Sequence, residues 1–161
     1  MFFLLATPEY NNIQSNTTKV RVHLRSGVAE IFDQHQDLMG KVENDLVEIE
    51  TNFENRIEKS TFVLQDAVFI VSNQGLDNTA ENKGTGVYVY ARRAKEINST
   101  LSLDELVKQY EQKTALLESE NQKLSESTSE SLTKAMNAKI LLLAEEVEFV
   151  KKVLAVAKER K

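Results

Sequence analysis

Cysteine is absent from the 161 residues. That absence excludes a disulfide framework and any thiolate metal site, and it fits a reducing compartment. Long apolar runs are missing too: nothing approaches the roughly 20 apolar residues that a helix needs to cross a bilayer, so no direct membrane insertion is expected. Met1-Phe2-Phe3-Leu4-Leu5 lacks a basic flank and is shorter than the apolar core of a secretion signal, so it reads as a first strand. No strong excess of positive charge exists either, with 20 basic against 25 acidic side chains and a net charge of -5. This balance argues against affinity for phosphate backbones and hence against nucleic acid. One proline and five glycines leave turn duty to Asn and Asp, at Asn11-Asn12, Glu43-Asn44-Asp45, Asn52 and Asn55.

Hydrophobic side chains make up 41% of the chain, enough for a core, and the length suits one ordinary domain or a small domain with an appendage. The organising stretch is 19–39. Val20, Val22 and Leu24 fall on one side of a pleat, while Lys19, Arg21, His23 and Arg25 fall on the other, which is the pattern of a half-buried strand with a solvated basic face. Ser26-Gly27 supplies a turn, and Val28 to Phe32 starts the return arm. Val47 and Ile49 alternate with Glu48 and Glu50 in the same way. Residues 10–18 read as a polar connection holding a short edge strand, and 53–57 as a turn. Thr61-Phe62-Val63-Leu64 and Ala67-Val68-Phe69-Ile70-Val71 read as a hairpin about Gln65-Asp66, the second arm buried on both faces. Residues 72–86 form a mobile loop without apolar periodicity. Val87-Tyr88-Val89-Tyr90 is the last strand, valines on one face and tyrosines on the other. Many short strands between turns predict an antiparallel β-sandwich over 1–98.

From 99 the pattern becomes helical, and residues 99–161 are expected to form a two-helix hairpin. Ser102 followed by Glu105 is a capping box with Leu101 and Leu106 as its staple. Leu103, Leu106, Val107, Tyr110, Thr114 and Leu117 mark one face. The serines of 119–131 predict the turn, with Ser129 or Ser131 capping the second helix. That helix carries a 4-3-4-3-4 seam of Met136, Ile140, Leu143, Val147, Val150 and Leu154. A second seam, Leu142, Phe149, Val153 and Val156, exceeds what a two-helix hairpin needs. Burying one such side chain is worth about 1.5–3 kcal/mol, so either the sandwich or a partner subunit must cover it.

Catalytic groups are sparse. His23 and His35 stand alone, and Asp33-Gln34-His35-Gln36-Asp37 offers only three donors to a metal, fewer than a closed site uses. No Gly-x-Ser-x-Gly elbow and no phosphate-cradling Gly-Lys-Ser/Thr loop occurs; Lys83-Gly84-Thr85-Gly86 has the wrong order and reads as a turn. No aromatic side chains interleave with the basic stripe for base stacking. The chain reads as a non-enzymatic interaction protein with two contact surfaces and no cofactor.

Gly27-Val28-Ala29-Glu30-Ile31-Phe32, then His35, Leu38-Met39 and Asp45-Leu46-Val47-Glu48-Ile49 resemble the amino-terminal β-sandwich of the epsilon subunit of F-type ATP synthases. Members of that family tend to show a strand, a Gly-rich turn, an Ile-aromatic-Pro-Gly-His loop, two apolar residues and a further strand. Asp33-Gln34 stands where the family usually carries Pro-Gly, and Val28 where a carboxylate often follows the Gly. The resemblance covers most of the chain in layout and few positions in identity.

The resemblance implies a non-catalytic central-stalk subunit that binds a gamma-like subunit, meets alpha- and beta-like catalytic subunits through its helices and, in a synthase, touches a membrane rotor ring. It implies a cytoplasmic place, peripheral to the inner face of the cell membrane through the complex. Ile31, Phe32, His35 and Leu38 would lie near the rotor foot, and Leu142, Phe149, Val153 and Val156 would be available to the gamma-like subunit or the sandwich. Some epsilon subunits bind ATP through Ile/Leu-Asp-x-x-Arg-Ala. Leu103-Asp104-Glu105-Leu106 begins that motif, but Val107 and Lys108 replace Arg-Ala, so the phosphate-binding guanidinium is missing and no ATP affinity is expected. Two alternatives stay open: a divergent rotary motor that drives a process such as motility, and a free-standing adaptor that homodimerises through its second helix.

Overall fold

The computed structural model describes residues 1–9, 12–74 and 84–160; most of the expected 72–86 loop and Asn11 of the first expected turn lie outside them. Two compact units are present, Met1–Ser99 and Thr100–Lys161. Among its described residues the first holds seven strands: β1 (Phe2–Ala6), β2 (Ile13–Asn16), β3 (Lys19–Leu24), β4 (Gly27–Ile31), β5 (Leu38–Phe53), β6 (Arg56–Ser72) and β7 (Gly86–Glu96). They form one sheet in the order β2-β1-β7-β6-β5-β3-β4. All its pairings are antiparallel except β1 with β7, which is parallel. The sheet is therefore mixed rather than purely antiparallel. The first and last strands meet far apart in the chain, where no hairpin turn dictates direction.

This single sheet curls over its own core. β2 is one edge and β3 lies next to the other, yet only Thr17 and Thr18 separate them. The Thr17 N–H donates to Met1 O at 2.8 Å and the Thr18 N–H to Glu50 O at 2.8 Å, so the two halves are drawn together where the chain crosses. One cluster fills the inside with Phe3, Val20, Ile31, Leu64, Phe69 and Val87 among its members, the inward residues of alternating strands.

The curl has a local cause. Val42, Ala67 and Ala91 stand in one row across β5, β6 and β7; Asn44, Gln65 and Arg93 stand in the next, and Glu43, Asp66 and Arg92 are passed over between them. Below that line Phe62 and Leu64 point inward, and above it Ala67, Phe69 and Val71 do. An extra residue in each of three neighbouring strands thus switches the inward phase, and Asp66 makes the switch at φ 49°. The expected hairpin at Gln65-Asp66 is accordingly a phase break inside one 17-residue strand. Asp can adopt the left-handed conformation singly without reversing the chain. The second arm is not buried on both faces either, because Val68 and Ile70 alternate outward.

Asp66 gives the first expected outcome. Valine there forces a β-branched side chain into the left-handed region and should cost about 1–2 kcal/mol, read as a lower urea midpoint at an unchanged slope. Glycine should be tolerated, apart from the loss of the Arg92–Asp66 ion pair at 3.2 Å. Beyond Glu50, β5 and β6 continue as a ribbon to the pair Phe53 and Arg56. Glu54 (φ 47°) and Asn55 (φ 64°) close it, the two positive angles of a type I′ turn.

The second unit holds α1 (Leu103–Glu126) and α2 (Glu130–Arg160). Ser102 caps α1: its Oγ accepts the Glu105 N–H at 3.3 Å, satisfying one of the amides left over at a helix start. The turn comprises residues 127–129, and Ser129 O accepts the first α2 bond, from the Thr133 N–H at 2.9 Å. Leu143, Val147, Val150 and Leu154 of the expected seam are buried, while Met136 and Ile140 are half-buried. Lys113 Nζ meets Glu146 at 2.6 Å and Lys139 Nζ meets Glu120 at 3.0 Å, so the helices run antiparallel.

Candidate functional site

The loop between β4 and β5 was expected to be an apolar contact surface, and its residues divide. Ile31 is fully buried in the sheet core, because it ends β4 on the inward face opposite Val20. Phe32, one residue on, is 50% exposed, with Lys19 Nζ 5.6 Å from its ring centre. Met39 is 71% exposed and Leu38 lies at the margin of exposure. His35 is half-buried, and its ring Nδ1 lies 2.8 Å from Gln36 O.

Polar contacts hold this loop. The His35 N–H donates to Phe32 O at 3.1 Å, closing a four-residue turn whose third residue, Gln34, has φ 62°. The Gln34 N–H donates to Thr85 Oγ1 at 2.6 Å. The Thr85 hydroxyl donates its single hydrogen to Asn73 Oδ1 at 2.7 Å and shares it with the Asp33 carboxylate, which the Thr85 backbone N–H also reaches. Asn73 Nδ2 donates to His35 O at 2.7 Å and to Asp37 Oδ1 at 3.1 Å, and the Asn73 N–H donates to the same Asp37 oxygen at 3.1 Å. Hydrogen bonding to Thr85 holds the Asp33 carboxyl below its ordinary pKa against the opposing effect of desolvation. Asp33, Gln34, Asn73, Gly84 and Thr85 line a shallow polar depression. Among the described residues no group of three or more His, Asp or Glu is placed to hold a metal ion.

On the solvated basic face, Lys19, Arg21 and His23 are paired with carboxylates while Arg25 is exposed. Lys19 and Arg21 meet Glu30 of β4 at 2.9 and 3.0 Å. Arg21 and His23 meet Glu48 of β5 at 3.6 and 3.0 Å. Register explains this, since Arg21 sits directly between Glu30 and Glu48 and facing opposite charges attract across strands. The Lys19 hydrogen bond is the main cause lowering the Glu30 pKa.

On α2 the second seam also divides. Leu142 is 48% exposed and Phe149 half-buried, whereas Val153 and Val156 are buried. Only the first two offer surface. Three apolar surfaces escaped the sequence reading. Phe53 and Ile57 stand exposed on the β5–β6 ribbon, hidden in a segment read only as a turn. Met39, Ile70, Tyr88 and Leu4 form a row across the outer face of β5, β6, β7 and β1, followed by Lys41, Val68, Tyr90 and Ala6; of these, Met39, Lys41, Val68 and Tyr90 are exposed, and Tyr88 is buried. Leu116 and Leu141 are exposed on the helices. Thr85 and Asn73 were missed as loop anchors, because nothing in a polar segment distinguishes an anchoring side chain from a solvated one. No helix among the described residues is long and apolar enough to cross a membrane.

No family model matches the chain, and no curated protein matches it. Among solved structures, it is similar to a chain in the Euglena gracilis mitochondrial ATP synthase, OSCP/F1/c-ring in rotational state 1, at TM-score 0.57 and 15% identity over 96% of this chain and 79% of that one. A chain of the central stalk/c-ring of the Tetrahymena thermophila mitochondrial ATP synthase matches at TM-score 0.43 and 12% identity, over 65% and 68% of the two chains. At 15% identity and nearly full coverage, the Euglena likeness shows a similar fold and no more; in this chain the described residues of that fold form a seven-stranded sheet followed by a pair of antiparallel helices.

Proposed function

We propose that this chain is a non-catalytic, epsilon-like central-stalk subunit of an F-type or F-type-like rotary ATPase. It binds a gamma-like subunit at the foot of the stalk and couples or regulates rotation. The observation that carries the proposal is the sheet-then-hairpin fold, shared over 96% of the chain with a chain of an ATP synthase structure. The contact surfaces support it: Phe32, Leu38 and Met39 rise from the sheet unit, and Leu142 and Phe149 from α2. In this reading the loop residues meet the rotor foot, including a membrane rotor ring where the motor has one. The helices meet gamma-like and alpha- or beta-like subunits, and the chain sits in the cytoplasm, peripheral to the inner membrane face through the complex. The same role serves a motor that makes ATP and a divergent one that drives another process, such as motility.

The exposed leucines Leu116, Leu141 and Leu142 favour a second reading, a homodimeric coiled-coil adaptor. Sedimentation equilibrium separates the two. A stalk subunit sediments as a monomer up to about 100 μM, a concentration at which an association of micromolar Kd is nearly complete, and shifts only when a long coiled-coil gamma-like subunit is added. A concentration-dependent dimer without that addition supports the adaptor.

A further inference from the structure

The loop at 32–37, Phe-Asp-Gln-His-Gln-Asp, holds neither proline nor glycine, yet it contains a turn that places Gln34 at φ 62°. A four-residue turn with positive φ at its third position favours Gly or Asn there. Glutamine gains nothing from that conformation, so the bonds within the loop, His35 N–H to Phe32 O among them, need support from outside it. The restraint comes from side chains just past the end of β6, at Asn73, and just before the start of β7, at Thr85. Thr85 is almost wholly buried, and its own carbonyl accepts the Phe2 N–H at 3.0 Å, which fastens it to β1. Its hydroxyl accepts the amide of the strained residue itself, Gln34, at 2.6 Å. Asn73 uses both amide hydrogens, its side-chain oxygen and its backbone N–H on His35, Asp37 and Thr85, close to its full capacity. Two residues therefore bind Asp33, Gln34, His35 and Asp37, every position of 33–37 except Gln36.

We propose that Thr85 and Asn73 are positioning residues that hold the 32–37 loop in the one geometry in which Phe32 and the following Leu38 and Met39 meet a partner subunit. This rests on the stalk reading for the partner, and on geometry alone for the clasp. Threonine is required there for its hydroxyl and not for its shape: removing the hydroxyl takes away the 2.6 Å acceptor of the Gln34 amide, leaves it only the adjacent Asp33 carboxylate and loosens the hold on positive φ, while the core beneath stays filled. Preorganisation of this kind strengthens binding by removing the ordering cost at the moment of contact.

The test compares Thr85→Val, Thr85→Ser and Asn73→Ala in the full chain. In hydrogen exchange, Thr85→Val should speed exchange at Gln34 and His35 about tenfold, as the loss of one hydrogen bond from a local opening equilibrium allows. Amides of the β5–β6 ladder and the melting midpoint should stay near the parent values, and Thr85→Ser should restore protection. Unchanged exchange in Thr85→Val and Asn73→Ala overturns the clasp. In native pull-downs, Thr85→Val should retain several-fold less rotor-foot subunit than the parent while the gamma-like subunit held by the helices stays, with Thr85→Ser restored; equal retention of the rotor-foot subunit by all variants overturns the positioning role. A parent chain that captures no ATPase subunit speaks against the stalk reading, while the exchange result still decides the clasp.

Discussion

Replacing Phe69 with alanine is expected to lower the unfolding free energy of the sheet unit by about 3–5 kcal/mol, the usual cost of emptying a fully buried aromatic site. Phe69 is completely shielded and belongs to the single core cluster. It sits on β6, paired with Gly40 of β5 on one side and Val89 of β7 on the other. Its ring rests on Gly40: a Cβ added there would collide with Cε1 and lie 2.8 Å from Cζ. Gly40→Ala alone should therefore cost about 1–3 kcal/mol through overpacking. In the Phe69→Ala background the same change should cost little, since the space the methyl needs is then empty. A double-mutant cycle by urea denaturation should show strong coupling, and simple additivity would contradict the packing described.

Glu120→Lys should produce the largest effect on the helices. Glu120 is buried between α1 and α2, with Lys139 at 3.0 Å and Lys123 at 3.2 Å. Reversal of its charge would put three cations together and remove the acceptor that satisfies two of them, the situation in which breaking a shielded ion pair is most damaging. The helical signal at 222 nm should melt several degrees lower at pH 7. A pH dependence follows. Hydrogen bonding from Lys139, then from Lys123, lowers the Glu120 pKa below 4.5. A depressed carboxyl stabilises the folded state above the unfolded value, and that stabilisation disappears as pH falls through the folded pKa. Melting midpoints should drop as pH falls through and below the ordinary glutamate range, and Glu120→Gln, which has no such proton to take up, should flatten that drop.

Legibility in the sequence followed the range of the interactions. Val20 and Val22, Val47 and Ile49, and Val87 and Val89 were readable as inward-facing because period-two alternation is a local property, and Ser102 was readable as a cap because its hydrogen bond spans three residues. The parallel meeting of β1 with β7 and the pairing of Arg21 with Glu30 and Glu48 depend on register between distant segments, which no local pattern carries. Asp66 shows the limit most clearly. The inward phase does break beside it, but a phase break reads equally well as a turn between strands or as a corner within one, and only its neighbours Glu43 and Arg92 decide for the corner. Ile31 illustrates the same limit at the candidate site, since one position along a strand end separates a core side chain from the exposed Phe32. The burial of Val153 and Val156 beside the open Leu142 is likewise invisible to a helical pattern that treats them as one stripe.

Native pull-down of the full chain from its own cells, followed by mass spectrometry, puts the stalk assignment to the most direct test. Recovery of alpha-, beta- and gamma-like ATPase subunits in fixed proportion to the bait is the expected result. Recovery of the bait alone, or of the bait as a self-associated dimer without ATPase subunits, would contradict it.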